Sequence, residues 1–193
     1  MSLSQWCVLY LVILFVQQRR YISLLPTIPV YPNNKTESQV VKRYTQQRSP
    51  SHVQLFLETD RSVAAAFDTL VKEDVTTLDR MITSPKVLSV IFFFKCTINR
   101  ARPHQIDESL DRLSSDTADT PAYPSGHAFQ AYYLAKVLSE RYPEKMSELY
   151  EVAEACALSR VYAGLHYPSD NHFSRWLVDH LIDHLRDIQP QII

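Results

Sequence analysis

Two glycines in 193 residues, Gly126 and Gly164, constrain this chain more than any other feature. Ordinary usage of about 7% would place roughly 13 in a chain of this length. The G-x-G-x-x-G dinucleotide fingerprint and the Walker A loop are excluded, because each needs several glycines close together to bring backbone against phosphate. Tight hairpins and barrels are disfavoured, since their primed turns call for Asn-Gly or Asp-Gly. Eleven prolines supply the punctuation instead, and helices tolerate proline best, at their first turn. A formal net charge of −1 leaves no basic field, so nucleic acid is not an expected partner. Cys7, Cys96 and Cys156 form no C-x-x-C and read as buried small hydrophobes.

Residues 6–16 (WCVLYLVILFV) are an unbroken apolar run followed by Gln17, Gln18, Arg19 and Arg20. The run is short of the roughly 20 residues that a spanning helix needs. It has the core length of a signal peptide but no positive n-region and no A-x-A-like cleavage site. Two readings follow. As a signal or anchor, residues 1–20 make the protein secreted, periplasmic-type or membrane-anchored, with membrane contact through residues 6–16. As an amphipathic or core-packed helix, they leave it soluble and intracellular. A mean hydropathy of −0.18 argues against multiple spans.

Residues 21–193 read as one helical domain. The Pro-rich lead-in of residues 21–36 carries an Asn34-Lys35-Thr36 sequon. Ser49-Pro50 and Ser84-Pro85 each put an N-cap serine before an N1 proline. The first precedes Val53, Phe56, Leu57, Val63, Phe67, Leu70 and Val71, the second the apolar run of residues 87–94. Pro143 opens a helix with Met146, Leu149, Tyr150, Ala153, Ala157 and Val161 on one stripe. A last helix from about Ser169 carries Phe173, Trp176, Leu177, Leu181, Ile182, Leu185 and Ile188 at helical spacing. Nothing alternates at period two. The expectation is an all-α single-domain bundle with one long polar loop over residues 104–124.

Three motifs point to an anion. In Lys95-x6-Arg102-Pro103 the two cations are seven apart, two helical turns, and are expected on one face near the end of the apolar helix. A buried lysine there needs an anionic partner. In Pro124-Ser125-Gly126-His127 a serine and a glycine open a helix whose free N–H groups face outward, a ready anion site. In Ser159-Arg160-x5-His166-x3-Asp170, Gly164 permits a sharp connection. Asp170 can then reach back to the His166 imidazole, fixing Nδ1–H and leaving Nε2 as a nucleophile.

Taken in order, these eleven specified positions resemble the signature of the type 2 phosphatidic acid phosphatase and vanadium haloperoxidase superfamily. The resemblance extends less specifically over residues 31–185, where the chain looks like the soluble bacterial acid phosphatases. It implies a bundle of the acid phosphatase/vanadium haloperoxidase type and a metal-independent phosphatase of phosphomonoesters, including lipid phosphates such as phosphatidic acid. Lys95, Arg102 and Arg160 would grip the phosphate oxygens, with Ser125 and the Gly126 amide adding hydrogen bonds. His166 would become a phosphohistidine, oriented by Asp170, and His127 would protonate the leaving oxygen and then activate water. Such chemistry rests on positioning and charge neutralisation and needs neither metal nor organic cofactor. Vanadate is the expected inhibitor. The alternatives are a vanadium haloperoxidase, in which vanadate is the cofactor, and a non-catalytic phosphate- or membrane-binding module. Where members of the resembled superfamily often have a small residue, commonly glycine, four residues after the aspartate, this chain has Ser174, a departure that touches helix packing more than chemistry.

Other candidates are set aside. His180 and His184 have metal-ligand spacing but read as the polar face of the last helix. His52, His104 and His172 have no partner set, although His104 could line the mouth. Arg100, about 200° round a helix from Arg102, is expected to face away. The acidic loop of residues 107–120 is expected over the pocket, where it would choose substrates. Both glycines fall inside the motifs, so replacing either by alanine is expected to damage activity more than stability.

Overall fold

The structure, a computed structural model, describes Tyr21 and residues 31–185. Residues 6–16, Cys7 and the end of the last helical stripe lie outside them. The described residues form eight α-helices and two short 3-10 turns, with no β-strand. The all-α expectation therefore holds.

Polar caps and prolines start most of these helices. Asn33 opens α1 (Asn34–Gln46), its side chain accepting from the Lys35 and Thr36 amides. Ser49 and Pro50 open α2 (Pro50–Thr59), Asp74 caps α3 (Val75–Ile82), and Ser84 and Pro85 open α4 (Pro85–Ile98). A single helical turn, α5 (Pro103–Ile106), follows. Ser125 caps α6 (Gly126–Arg141), Pro143 begins the 3-10 turn leading into α7 (Met146–Tyr162), and Pro168 begins α8 (Pro168–Leu185). Each oxygen-bearing cap satisfies amides that the first helical turn leaves without intrahelical partners.

The apolar stretch after Ser49-Pro50 does not run as one helix. It stops at Thr59 and resumes as the 3-10 turn Val63–Phe67. Ser62 accepts from the Ala64 amide and donates to Asp79, so local side-chain bonds replace helical ones. The break leaves Asp60 free to face the site described below.

Helix α6 is the centre of the bundle. Ala128, Phe129, Ala131, Tyr132, Tyr133, Leu134, Ala135 and Leu138 are all buried, the all-round burial of a core helix rather than a surface one. Against it pack Phe67, Leu78 and Ile91 from the first half of the chain, and Leu149, Ala153, Phe173 and Leu177 from α7 and α8. Cys156 is buried in the same core, as expected, while Cys96 is half-buried. The loop after α5 is also anchored. The Leu113 amide donates to the Ala163 carbonyl and the Ala122 amide to the Arg100 carbonyl, both at 2.9 Å.

Among the described residues no single helix is long and apolar enough to cross a membrane. The bent pair Val75–Ile82 and Pro85–Ile106, 47° apart, passes by length and composition when taken together, which is consistent with membrane contact.

Candidate active site

Lys95 lies in the last turn of α4, but Arg102 does not share its helix face. Asn99 adopts the left-handed conformation (φ 51°) and caps α4, its amide donating to the Lys95 carbonyl at 2.9 Å. Arg102, extended before Pro103, returns toward the site from beyond this bend. Its guanidinium donates to the Thr120 carbonyl (2.7 Å) and the Leu165 carbonyl (2.9 Å), and lies 3.2 Å from His166 Nε2. The Lys95 ammonium donates to the Pro121 carbonyl. Both cations are buried.

Ser125 is fully buried, and its hydroxyl accepts from the Ala128 amide at 3.4 Å. Gly126 and His127 follow as the first residues of α6. His127 Nε2 lies 2.9 Å from the Asp60 carbonyl. A carbonyl only accepts, so Nε2 carries the proton and Nδ1 has the lone pair. Ser174 fits against this corner, its hydroxyl 2.7 Å from the Asp170 carbonyl and 2.9 Å from the Ser125 carbonyl. Ser174 thus links α8 to the cap of α6.

Arg160, in the last turn of α7, donates to Asp60 Oδ1 at 2.7 Å and to the Ser115 and Thr117 hydroxyls at 3.2 and 3.3 Å. Its carbonyl accepts from the Leu165 and His166 amides, and Gly164, at φ 75°, makes the reversal between them. His166 Nδ1 and Asp170 Oδ2 are 3.0 Å apart. Because Arg102 can only donate, His166 Nε2 is an acceptor, and the ring proton sits on Nδ1, shared with Asp170. Asp170 also accepts from the Tyr167 amide at 2.9 Å and from Arg100 at 2.6 Å.

The three motifs therefore meet, and their charges act on one another. Burial, then Arg102, Lys95 and Arg160, push the His166 imidazole well below its ordinary range. Burial and Arg160 push His127 down to about 3. Lys95 is lowered by burial and by Arg102, and Arg102 is lowered to about 10, chiefly by burial. Dehydrated cations crowded together and lowering one another are the electrostatic mark of a site that gains from an anion.

Three neighbours have a role here that the motifs do not assign them. Asp60 holds Arg160 through its carboxylate and His127 through its carbonyl. Arg100 does not face away: with the helix ended at Asn99, the 200° argument no longer applies, and Arg100 pairs with Asp170 and Glu37. Asn34, the sequon asparagine, accepts from Arg100 Nε at 2.9 Å. The only signal for this cluster in the sequence was the arginine two residues before Arg102.

The histidines set aside stay apart from these motifs or at their edge. His180 stacks on Trp176, and His184 and His172 are exposed. His52 stacks on Tyr162 at the start of α2. His104 is half-buried and pushed down to about 4 by burial, Arg112 and Arg102. Among the described residues no group of three or more His, Cys, Asp or Glu side chains converges as a metal site.

The chain belongs to the PAP2 superfamily. That family's profile matches residues 81–178, just over half of the 193 residues, and the span holds every motif residue from Lys95 to Asp170. Among solved structures the chain is similar to one described as the first transmembrane PAP2 type phosphatidylglycerolphosphate phosphatase from Bacillus subtilis. The two are 19% identical, with 92% of this chain and 98% of that chain covered and a TM-score of 0.49. No curated protein matches. Membership is at the level of the superfamily and does not single out its soluble acid-phosphatase branch.

Proposed function

We propose that the chain is a metal-independent phosphatase that hydrolyses phosphomonoesters through a phosphohistidine at His166. One observation carries the reading: the His166 imidazole is held as the Nδ1–H form by Asp170 while Nε2 faces Arg102 within a buried cluster of cations. In the reaction, a substrate oxygen takes up the Arg102 guanidinium and the Nε2 lone pair attacks phosphorus. Lys95, Arg102, Arg160, Ser125 and the Gly126 amide bind the nonbridging oxygens and neutralise them as the P–O bond to the leaving group lengthens. His127, neutral in the free site, takes a proton from solvent when the phosphate's negative charge offsets Arg160, and passes it from Nδ1 to the leaving alcohol. The same Nδ1 then takes a proton from water, whose oxygen attacks phosphorus, releasing phosphate and restoring His166.

An apolar substrate tail has support as well. Phe92, Phe93 and Trp176 are 46%, 52% and 50% exposed. An aromatic ladder runs from Phe93 through Phe94 and Phe173 to Trp176, with Phe173 stacked on Tyr123 beside the Ser125 cap. Such a surface favours lipid phosphates, phosphatidic acid among them, presented at a bilayer.

The test is hydrolysis of an aryl phosphate in excess EDTA, with vanadate as inhibitor and acid quenching to trap the phosphoenzyme. Turnover that persists in EDTA, and a phosphoenzyme lost in His166→Ala, are expected. Strict Mg²⁺ dependence, or a covalent intermediate retained in the variant, overturns the mechanism. A panel of soluble phosphomonoesters, phosphatidic acid in micelles and isoprenyl pyrophosphates, run with and without residues 1–20, decides the substrate class.

A further inference from the structure

The Arg100 guanidinium lies wholly inside the protein, and each of its nitrogens is committed. Nη1 donates to Asp170 Oδ1 at 2.6 Å and to the Ser169 hydroxyl at 2.7 Å, Nη2 to Glu37 Oε2 at 2.7 Å, and Nε to Asn34 Oδ1 at 2.9 Å. The rings of Tyr167 and Tyr31 lie over it, with centroids 3.7 and 4.1 Å away. Glu37 is fixed in turn by the Ser169 amide at 2.9 Å and the Ser169 hydroxyl at 2.7 Å. This cluster ties α1 to the first turn of α8 on the side of His166 opposite the Arg102 guanidinium.

We infer that Arg100 is a positioning residue: by binding Asp170 Oδ1 it keeps Asp170 a charged acceptor and thereby holds the His166 imidazole in its Nδ1–H form. The inference rests on the phosphohistidine reading above. Its physical basis is the cost of two buried carboxylates, Glu37 and Asp170, with one cation between them. Without that cation one carboxylate must take a proton. Burial already pushes Asp170 up to about 6, and Arg100 is the strongest influence pulling it back. A protonated Asp170 would donate to Nδ1 rather than accept from it. The ring proton would then be driven to Nε2, displacing the Arg102 guanidinium that donates there, and the lone pair that attacks phosphorus would be gone. Asn34 enters by aiming the guanidinium, and Glu37 both by aiming it and by adding the second negative charge beside Asp170.

The test compares wild type, Arg100→Met and Arg100→Lys in steady-state hydrolysis of an aryl phosphate. It adds long-range ¹H–¹⁵N spectra of histidine-labelled protein, with the His166 signals assigned by their loss in His166→Ala. Arg100→Met should lower kcat about 10²-fold with KM within about threefold, the pattern of a lost transition-state arrangement rather than lost binding. Its folded form should show the proton moved from Nδ1 to Nε2. Arg100→Lys, which restores the charge without the fork, should recover about tenfold of the loss. A folded Arg100→Met with kcat within about threefold of wild type, or with Nδ1–H retained, overturns the inference. If the methionine variant does not fold, Arg100→Lys decides, and an unchanged kcat refutes the role. Turnover retained in His166→Ala would sink the phosphohistidine reading itself, while the tautomer spectra would still judge Arg100.

Discussion

Replacing each glycine by alanine separates two reasons for keeping one. At Gly164 the backbone is left-handed (φ 75°), and an added Cβ would sit 2.5 Å from Leu110 Cδ2, 3.2 Å from Arg112 Cα and 3.3 Å from Arg112 Cβ. The leucine tip can swing aside, but the Arg112 backbone is held in place, because the neighbouring Leu113 amide is bonded to the Ala163 carbonyl. Left-handed backbone costs a residue with a Cβ about 1–2 kcal/mol, and overpacking adds about 1–3 kcal/mol. Gly164→Ala should therefore destabilise by about 2–5 kcal/mol, roughly 5–15 °C in Tm for a chain of this size. At Gly126 the same Cβ meets only Ile91 Cγ2 at 3.7 Å and Lys95 Cε at 3.8 Å, ordinary contact distances. Gly126→Ala should unfold within about 1 kcal/mol of wild type, since alanine is the better helix former, yet lose activity because the methyl stands beside Lys95 where the phosphate must approach. The expectation that both changes act mainly on activity is therefore kept as a prediction for Gly126 and replaced for Gly164 by one of lost stability. Urea denaturation followed by circular dichroism, with kcat and KM on the same preparations, reads both effects. A Gly164→Ala midpoint worth less than about 0.5 kcal/mol would refute the steric reasoning.

Three further outcomes follow from the site. Arg160→Ala should lower kcat about 10²-fold, as when a donor to transition-state charge is removed, and an effect under about threefold takes Arg160 out of the mechanism. Asp60→Asn keeps the carbonyl that holds His127 but weakens the grip on Arg160, so it should lower kcat in the same sense and by less; a KM effect alone would show that Asp60 only helps binding. The third concerns pH. His127, pushed down to about 3, stays neutral in the folded chain below pH 6.5 while the unfolded chain takes the proton, so its contribution to stability is lost as pH falls from about 6.5 toward 3. Asp170, pushed up from 3.8 to about 6, acts in the opposite sense between those values, so the useful quantity is the difference between wild type and His127→Asn. The variant should gain on wild type between about pH 7 and pH 4.5 in urea midpoints, and a constant gap would show that His127 is not held neutral.

How much was legible in the sequence divides by the range of the interactions concerned. Helix starts at Pro50, Pro85 and Pro168, the cap at Ser125, and the short reach from Asp170 back to His166 are decided within a few residues by proline geometry, side-chain capping and one turn of helix, and all could be read along the chain. The two cations Lys95 and Arg102 could be read as partners, but not how they meet. Two helical turns were expected to carry them on one face, whereas Asn99 turns left-handed and the chain comes back from outside the helix. A break of that kind depends on what the next segment packs against, which spacing does not express. The same bend converts Arg100 from a residue facing away into the partner of Asp170 and Glu37, 70 and 63 residues distant. Asp60 meets Arg160 across 100 residues because its helix stops one residue before it. The identities of the chemical groups, and the class of chemistry they suit, were thus set by short-range pattern. Which charges neutralise one another was decided only by folding, because buried charges must find partners wherever the packed bundle brings them.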